Sequence, residues 1–410
     1  MNLLQKFKNI DQNHKSLIFL NWIYTIGSII SGVFTTFYVY KLFGNSIEIL
    51  LYFLIFYFII VFIGFSGIGA IFAIYKKDIK NLYYLSYLLF FLSFISIFLS
   101  NFSIYFIFFY YLFYGLGNGA FRCAVHTQEL AHIEDAGRDK YSSIISSGDN
   151  LIKFRVPLFI SALFAISLYF KFNGYIILFL IMPVLYIFSF SFVNDIKSYI
   201  PKSKISKNDI KNFFSKKYFY IHSYFFSVGF YQGVNTGGII TILFFKNEID
   251  IGLFQGIMSI LSTLIVLFLI KKRKVDKRLT IYFYASLFSV LNILLFFFNL
   301  SLIGFIVFSL IGLLIGPIYR VSEHVYDLRS MDFIKHGTSD FFPAMILREV
   351  FLIAGRILPV LFIILIMHFY NLSKESLIHI ILTIIALGQL GAFLFVYMFD
   401  NKKIISKFHL

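Results

Sequence analysis

Cysteine occurs once in the 410 residues, as Cys123, which excludes an internal disulfide framework and a cysteine-ligated zinc or iron–sulfur centre. Proline is scarce at six, which suits long helices with few breaks. Only 14% of residues are charged, against about 25% in soluble globular proteins. Acids are the rarer sign, 20 Asp and Glu against 36 Lys and Arg. A Gly-x4-Gly-Lys-Ser/Thr nucleotide loop is missing, and no polar stretch is long enough for a soluble domain, which argues against ATP-driven transport by this chain. Paired metal-ligand spacing of the His-Glu-x2-His kind is missing too, so neither a metal, another cofactor nor a catalytic set is expected.

What is present is apolar. Hydrophobic residues make up 59% of the chain, more than one aqueous core can hide. About 20 apolar residues cross a bilayer as a helix. Twelve such runs fit, at 16–42, 47–75, 80–100, 102–125, 142–170, 173–193, 218–245, 250–270, 279–299, 301–319, 341–370 and 375–399. The expected fold class is an all-α polytopic membrane protein with 12 transmembrane helices. The first run follows Lys6, Lys8 and Lys15, is too long for a signal core and lacks a small-residue cleavage site, so no signal peptide is expected. Before it, Leu3, Leu4, Phe7 and Ile10 have the spacing of a short helix lying on the membrane surface.

A net charge of +16 in a soluble protein would suggest nucleic acid. Here the charge alternates with the loops. Those after spans two, four, six, eight and ten hold nearly all the Lys and Arg, such as Lys202, Lys204, Lys207, Lys211, Lys216 and Lys217. The opposite loops carry Lys41, Lys171, Lys246 and Lys374. By the positive-inside rule both termini are cytoplasmic, in the plasma (inner) membrane, and lipid headgroups rather than nucleic acid are the partners of the basic loops.

A shift of about 200 residues lays the second half on the first. The loop Asn45-Ser46-Ile47-Glu48-Ile49 matches Asn247-Glu248-Ile249-Asp250-Ile251, and Gly32-Val33 matches Gly233-Val234. Arg122-x3-His126-x2-Glu129 matches Arg320-x3-His324-x2-Asp327, while Asp139 and Arg155 match Asp340 and Arg356. Order and membrane side are kept, so this is a parallel duplication. The expected organisation is two pseudo-symmetric six-helix bundles, 1–193 and 218–410, joined by a basic cytoplasmic linker at 194–217.

In these features the chain resembles the major facilitator superfamily over essentially its whole length. Of the superfamily's usual loop after span two, Gly-x3-Asp followed by basic residues, the sequence keeps only Lys76, Lys77, Asp78 and Lys80. Ala73 stands where its acid would fall four after Gly69. The loop after span eight keeps Asp276, Lys277 and Arg278. The Gly-Pro-rich signature in span five of many drug/proton antiporters is absent, since that segment reads Lys153-Phe154-Arg155-Val156-Pro157-Leu158. No subfamily follows. The resemblance implies alternating access, with the halves rocking about a central site lined by spans one and seven and latched by charges at helix ends.

Ionisable residues inside a membrane are costly, and each is a functional candidate. Arg122, His126 and Glu129 share one helical face, as do Arg320, His324 and Asp327. They read as a cytoplasmic gate or as solvated helix ends. In span five, Asp149 either pairs with Lys153 or binds a proton. In span eleven, Glu349 and Arg356 lie seven apart on one face beside Arg348. Arg155 and Arg356, repeat mates, either clamp an anion between the halves or are neutralised within them by Asp149 and Glu349. Asn21, Tyr24, Ser28 and Thr35 on span one, with His222, Tyr224, Gln232, Asn235 and Thr236 on span seven, contact substrate or bond neighbouring helices. Gly229, Gly233, Gly237 and Gly238 read as close-packing or bending sites.

The expected function is secondary transport of a small organic solute, an anion if the arginines clamp, by a monomer coupled to protons carried by Asp149, Glu349, Glu323 or His126. Drug or metabolite efflux and a lipid or glycolipid flippase are the alternatives on the same scaffold. An enzyme is not expected. The clamp reading predicts that Arg155→Ala or Arg356→Ala abolishes uptake while protein remains in the membrane; unchanged uptake by both mutants would remove it.

Overall fold

The computed structural model describes residues 12–133, 135–201, 205–235, 238–245, 247–269, 277–335, 341–370 and 372–400. The surface helix expected around residues 3–10 lies outside them. Among the described residues the chain is helical with no strand. The first half runs α1 (Gln12–Leu42), α2 (Ile47–Ile74), α3 (Lys80–Leu99), α4 (Phe106–His132), α5 (Asp135–Tyr169) and α6 (Gly174–Val193). The second half runs α7 (Phe219–Asn235, resumed as Ile239–Phe244), α8 (Glu248–Leu269), α9 (Arg278–Phe297), α10 (Leu302–Lys335), α11 (Phe341–Phe369) and α12 (Lys374–Asp400).

Nine of the described helices are long and apolar enough to cross a bilayer, or ten if one bent pair counts as a span; the sequence expectation was twelve. The count covers the described residues, and parts of the α7–α8 region lie outside them. Helix α4 is diluted by Gly115, Gly117, Asn118, Gly119 and Arg122 in its middle. The chain from Lys216 to Ser259 passes the test only as a pair of arms, bent by 115° at the break between Phe244 and Glu248. Two helices overrun their expected ends. Helix α4 continues to His132 rather than stopping near 125, and α10 to Lys335 rather than near 319. These extensions lie at the end that carries the basic loops, hereafter the basic end, and neighbouring helices bury many of their polar residues: Thr127, Gln128, Glu129 and Ser330 are each at most 1% exposed.

Close neighbours in the first half are α3 with α4 and α6, α2 with α4, and α1 with α5 and α6. In the second half α7 packs on α11 and α12, and α9 on α10 and α12. The halves meet along two lines, α5 against α8 and α10, and α2 against α11.

The α7–α11 contact is set by glycine. A Cβ on Gly229 would fall 2.3 Å from the Leu352 carbonyl oxygen, one on Gly355 2.3 Å from that of Phe226, and one on Gly233 2.4 Å from that of Arg356. Backbones this close gain dispersion contacts that larger residues would forbid, the usual basis of helix association in lipid. The contact also holds Arg356 against α7. Gly238, by contrast, sits at φ +58° and starts the short resumed helix, a conformation that suits glycine.

The connection between halves is pinned. Backbone N–H groups of Lys197 and Tyr199 donate to the Asn13 and Asp78 side chains at 2.8 and 3.1 Å. Asp78, of the basic loop after α2, thus binds the segment that leaves α6. A short helix, Lys207–Phe213, begins with a capping box of Ser206 and Asp209. It buries Phe213 against His222 of α7, ring centroids 4.8 Å apart. His222 stacks on Phe351 of α11 at 4.4 Å.

Substituting Gly229 or Gly355 by leucine should push α7 from α11 and cost about 1–3 kcal/mol, the usual penalty of overpacking. Gly32→Ala, whose Cβ meets nothing within 4 Å, is the matched control and should leave the thermal unfolding temperature unchanged.

Candidate functional site

Helices α1 and α2 each contain a π-helical turn, Ile30–Thr35 and Ile63–Ile68. Such turns widen a helix locally and recur at functional sites. The first faces a cavity of about 150 Å³. Its polar lining comes from Tyr24, Ser28 and Ser31 of α1, Tyr57 of α2, and Tyr111, Tyr114, Asn118 and Arg122 of α4. Leu50, Leu54 and Ile239 give it apolar wall.

Arg122 is the cation of this cavity. Its Nε donates to Asn118 Oδ1 at 2.9 Å and its Nη2 to the Tyr24 hydroxyl at 3.3 Å. The Tyr24 hydroxyl donates to the same Asn118 oxygen at 3.0 Å, and the Asn118 amide donates to Tyr57. Among the described residues no carboxylate lies within ion-pair distance of Arg122. The guanidinium is held by neutral groups, with donor capacity left over.

The gate expectation had placed Arg122 with His126 and Glu129. Because α4 runs on to His132, Arg122 lies ten residues, about 15 Å along the axis, from the end of the helix. Only the deeper turns face the cavity. Arg320 is displaced from its expected place for the same reason, since α10 continues to Lys335.

The rest of the two matched runs does meet at the basic end. Glu129, 1% exposed, lies 3.3 Å from His126 Nδ1 and 3.6 Å from His324 Nε2, the latter contact joining α4 to α10. Arg138 of α5 and Asp332 of α10 add a second ion pair between halves. Asp327, by contrast, faces Arg348 of α11 at 2.5 Å, inside its own half. At the opposite end Lys41 of α1 donates to both oxygens of Glu248 at the start of α8, at 2.8 and 3.0 Å. The Tyr175 hydroxyl of α6 donates to Glu248 at 2.7 Å. Sequence reasoning missed this contact, although Glu248 lay in the matched loops and Lys41 was among the few cations on that side.

Of the expected arginine clamp, the structure brings one member into a network and leaves the other out. Arg356 donates to Glu349 at 2.6 Å and to Gln232 Oε1 at 3.3 Å. Arg155 is exposed on α5 and lines neither that network nor the cavity. Helical phase explains the difference. Seven residues bring Arg356 back onto the face of Glu349, whereas Arg155 lies six after Asp149, about 120° away. The repeat position of Glu349 in the first half is Gly148, which packs on Trp22. Asp149 accepts a hydrogen bond from Thr25 of α1 at 2.8 Å, and Lys153 is not within ion-pair distance of it.

Gln232 extends the Arg356 network. Its amide nitrogen donates to Glu323 Oε1 at 3.4 Å, and the Tyr231 hydroxyl donates to the same oxygen at 2.5 Å. Glu323 therefore has two neutral donors and, among the described residues, no cation within ion-pair distance. Asn235 ends α7, and its side chain, like Thr236 and Gly237, lies outside the described residues.

These features define an integral multi-pass membrane protein with a polar cavity among apolar helices and ionised contacts at both ends. No family model and no curated protein matches the chain. Solved structures do. The human organic anion transporter MFSD10 (TETRAN) has a TM-score of 0.63 at 10% identity, covering 95% of this chain and all of that one (100%). A D-xylose-proton symporter has 0.62 at 14% identity, over 95% and 97%. A POT family transporter in complex with 5-aminolevulinic acid has 0.61 at 13%, over 97% and 99%. The chain has the fold of major facilitator transporters. At these identities the likeness is one of fold, and no subfamily is marked out.

The Arg348–Asp327 pair is buried on the arginine side, where Arg348 is 2% exposed. Arg348→Met should cost roughly 3–5 kcal/mol by stranding the carboxylate. Adding Asp327→Asn should recover most of that loss in thermal unfolding of the purified protein. An equal loss in the double variant would mean that packing, not the charge pair, carries the effect.

Proposed function

We propose that the protein is a secondary transporter of a small organic anion, carrying a carboxylate or phosphate, bound at Arg122 and coupled to protons. The observation that carries this reading is a deep arginine in a cavity, held by tyrosine and asparagine and lacking a carboxylate partner. An intramembrane cation in that condition is expensive unless an anion joins it. Its planar fork suits two-pronged binding of a carboxylate or phosphate. Arg122 thus takes the role first given to Arg155 and Arg356, since Arg356 is already neutralised by Glu349. The name of one structural neighbour, an organic anion transporter, agrees with this reading.

Glu323 is the proposed proton carrier. It can gain or lose a proton without breaking an ion pair, unlike Glu349 or Glu129, and one structural neighbour is named as a proton symporter. The two moving bodies are residues 1–193 and 218–410, linked through 194–217. They separate alternately at the Glu129–His324 end and at the Lys41–Glu248 end, with both termini on the cytoplasmic side. Polar groups that line a cavity between apolar helices support transport rather than catalysis.

Proteoliposome uptake of a panel of carboxylated and phosphorylated solutes, with and without an imposed pH gradient, tests the whole reading. Arg122→Gln should raise the KM for the transported anion roughly ten- to a hundred-fold, the value of a charge-assisted two-pronged contact. Arg155→Gln should leave it unchanged. Glu323→Gln should permit exchange of the solute while abolishing its accumulation against a gradient. A neutral solute transported equally well by wild type and Arg122→Gln would overturn the anion assignment.

A further inference from the structure

A second, smaller cavity of about 70 Å³ lies where α5 meets α8 and α10. It contains groups that the transport reading does not use. Lys153 and Asn150 of α5 and Arg320 of α10 line it, with Asp149, Ser146 and Ser259. Asp149 is occupied by Thr25. Neither Lys153 nor Arg320 has a carboxylate within ion-pair distance among the described residues. Asn150 is 7% exposed, and its amide nitrogen has no hydrogen-bond partner.

Three donor groups, two of them cationic, therefore converge on one small space in which Asp149, with one oxygen taken by Thr25, is the one carboxylate among the described residues. With Lys153 and Arg320 against Asp149 the local charge is +1. Buried donors and charges are normally satisfied, and an unsatisfied set of one sign calls for a ligand of the other. The space admits a small ion with a water, since one water needs about 10–15 Å³ by this kind of measure. Arg320 is exposed, so the pocket is not sealed.

We infer that this pocket binds a monovalent inorganic anion of chloride's size between Lys153, Arg320 and the Asn150 amide. The ion would neutralise the pair and bridge α5 of the first half to α10 of the second, so it acts at the seam rather than in the substrate cavity. The inference is independent of what Arg122 binds.

The test is made on the purified full-length protein, by following thermal unfolding as sodium chloride replaces sodium gluconate at constant ionic strength. Chloride and bromide should each raise the unfolding temperature by a few degrees in a saturable way, and sodium sulfate at matched ionic strength should not. The halide response should vanish in Arg320→Gln, whose side chain is exposed. It should vanish equally in Gly312→Leu, which keeps both cations but occupies the pocket; a Cβ there meets only the Asn292 amide, at 3.6 Å. Crystals soaked in bromide should show its anomalous signal between Lys153 and Arg320, which decides the matter if a variant does not fold. A wild-type protein indifferent to halide, the same response in both variants, or an equal response to sulfate would overturn the site. The last two results would mean general screening by salt.

Discussion

A charge inside a bilayer must be matched, and in this protein the groups able to match it are few. With acids outnumbered by bases, each carboxylate at depth determines where a cation can rest. Glu349 takes Arg356, Asp327 takes Arg348, and Glu129 stands between His126 and His324. The cations left over are those worth attention. Arg122 turns to tyrosine and asparagine, and Lys153 with Arg320 faces a small cavity. The distribution of partners, more than the presence of charge, separates fastening groups from groups with spare binding capacity.

The same constraint divides the contacts between halves into two kinds. Along their length the halves touch mostly through packing, α5 against α8 and α2 against α11, with the pocket of Lys153 and Arg320 as the exception. At the ends they touch through ionised groups, Lys41 with Glu248 at one and Glu129 with His324 or Arg138 with Asp332 at the other. Pairs with one partner open to water, as Lys41, Asp332 and His324 are, can be exchanged for hydration at lower cost than pairs closed on both sides. Switchable contacts therefore belong at the ends and fixed ones in the middle.

The helical membrane fold was legible in the sequence because apolar length and loop charge are properties of single segments. Partner choice was harder, because it depends on rotational phase and on where helices really end. Glu349 and Arg356 were readable, since seven residues make nearly two full turns. The Asp149–Lys153 pairing was not realised, because Thr25 on a neighbouring helix offered Asp149 a hydroxyl that spacing along α5 cannot reveal. Arg122 lines the cavity with Asn118 and Tyr24 instead of joining His126 and Glu129, a choice of partners that spacing along α4 does not reveal. The repeat helped with order and misled in detail: the mate of Glu349 is Gly148, so two arginines in equivalent positions have different surroundings.

Gln232 has a consequence of its own. Its oxygen accepts from Arg356 while its nitrogen donates to Glu323, so one amide serves two ionisable neighbours in a single orientation. A primary amide cannot satisfy both after a half-turn, because each end would then meet a group of its own kind. Whatever draws Arg356 away alters how Glu323 is held, and a change at Glu323 returns to Arg356 with the same magnitude, as thermodynamic reciprocity requires. A neutral side chain with no charge to exchange thereby becomes the place where an arginine and a carboxyl group on different helices are made to agree.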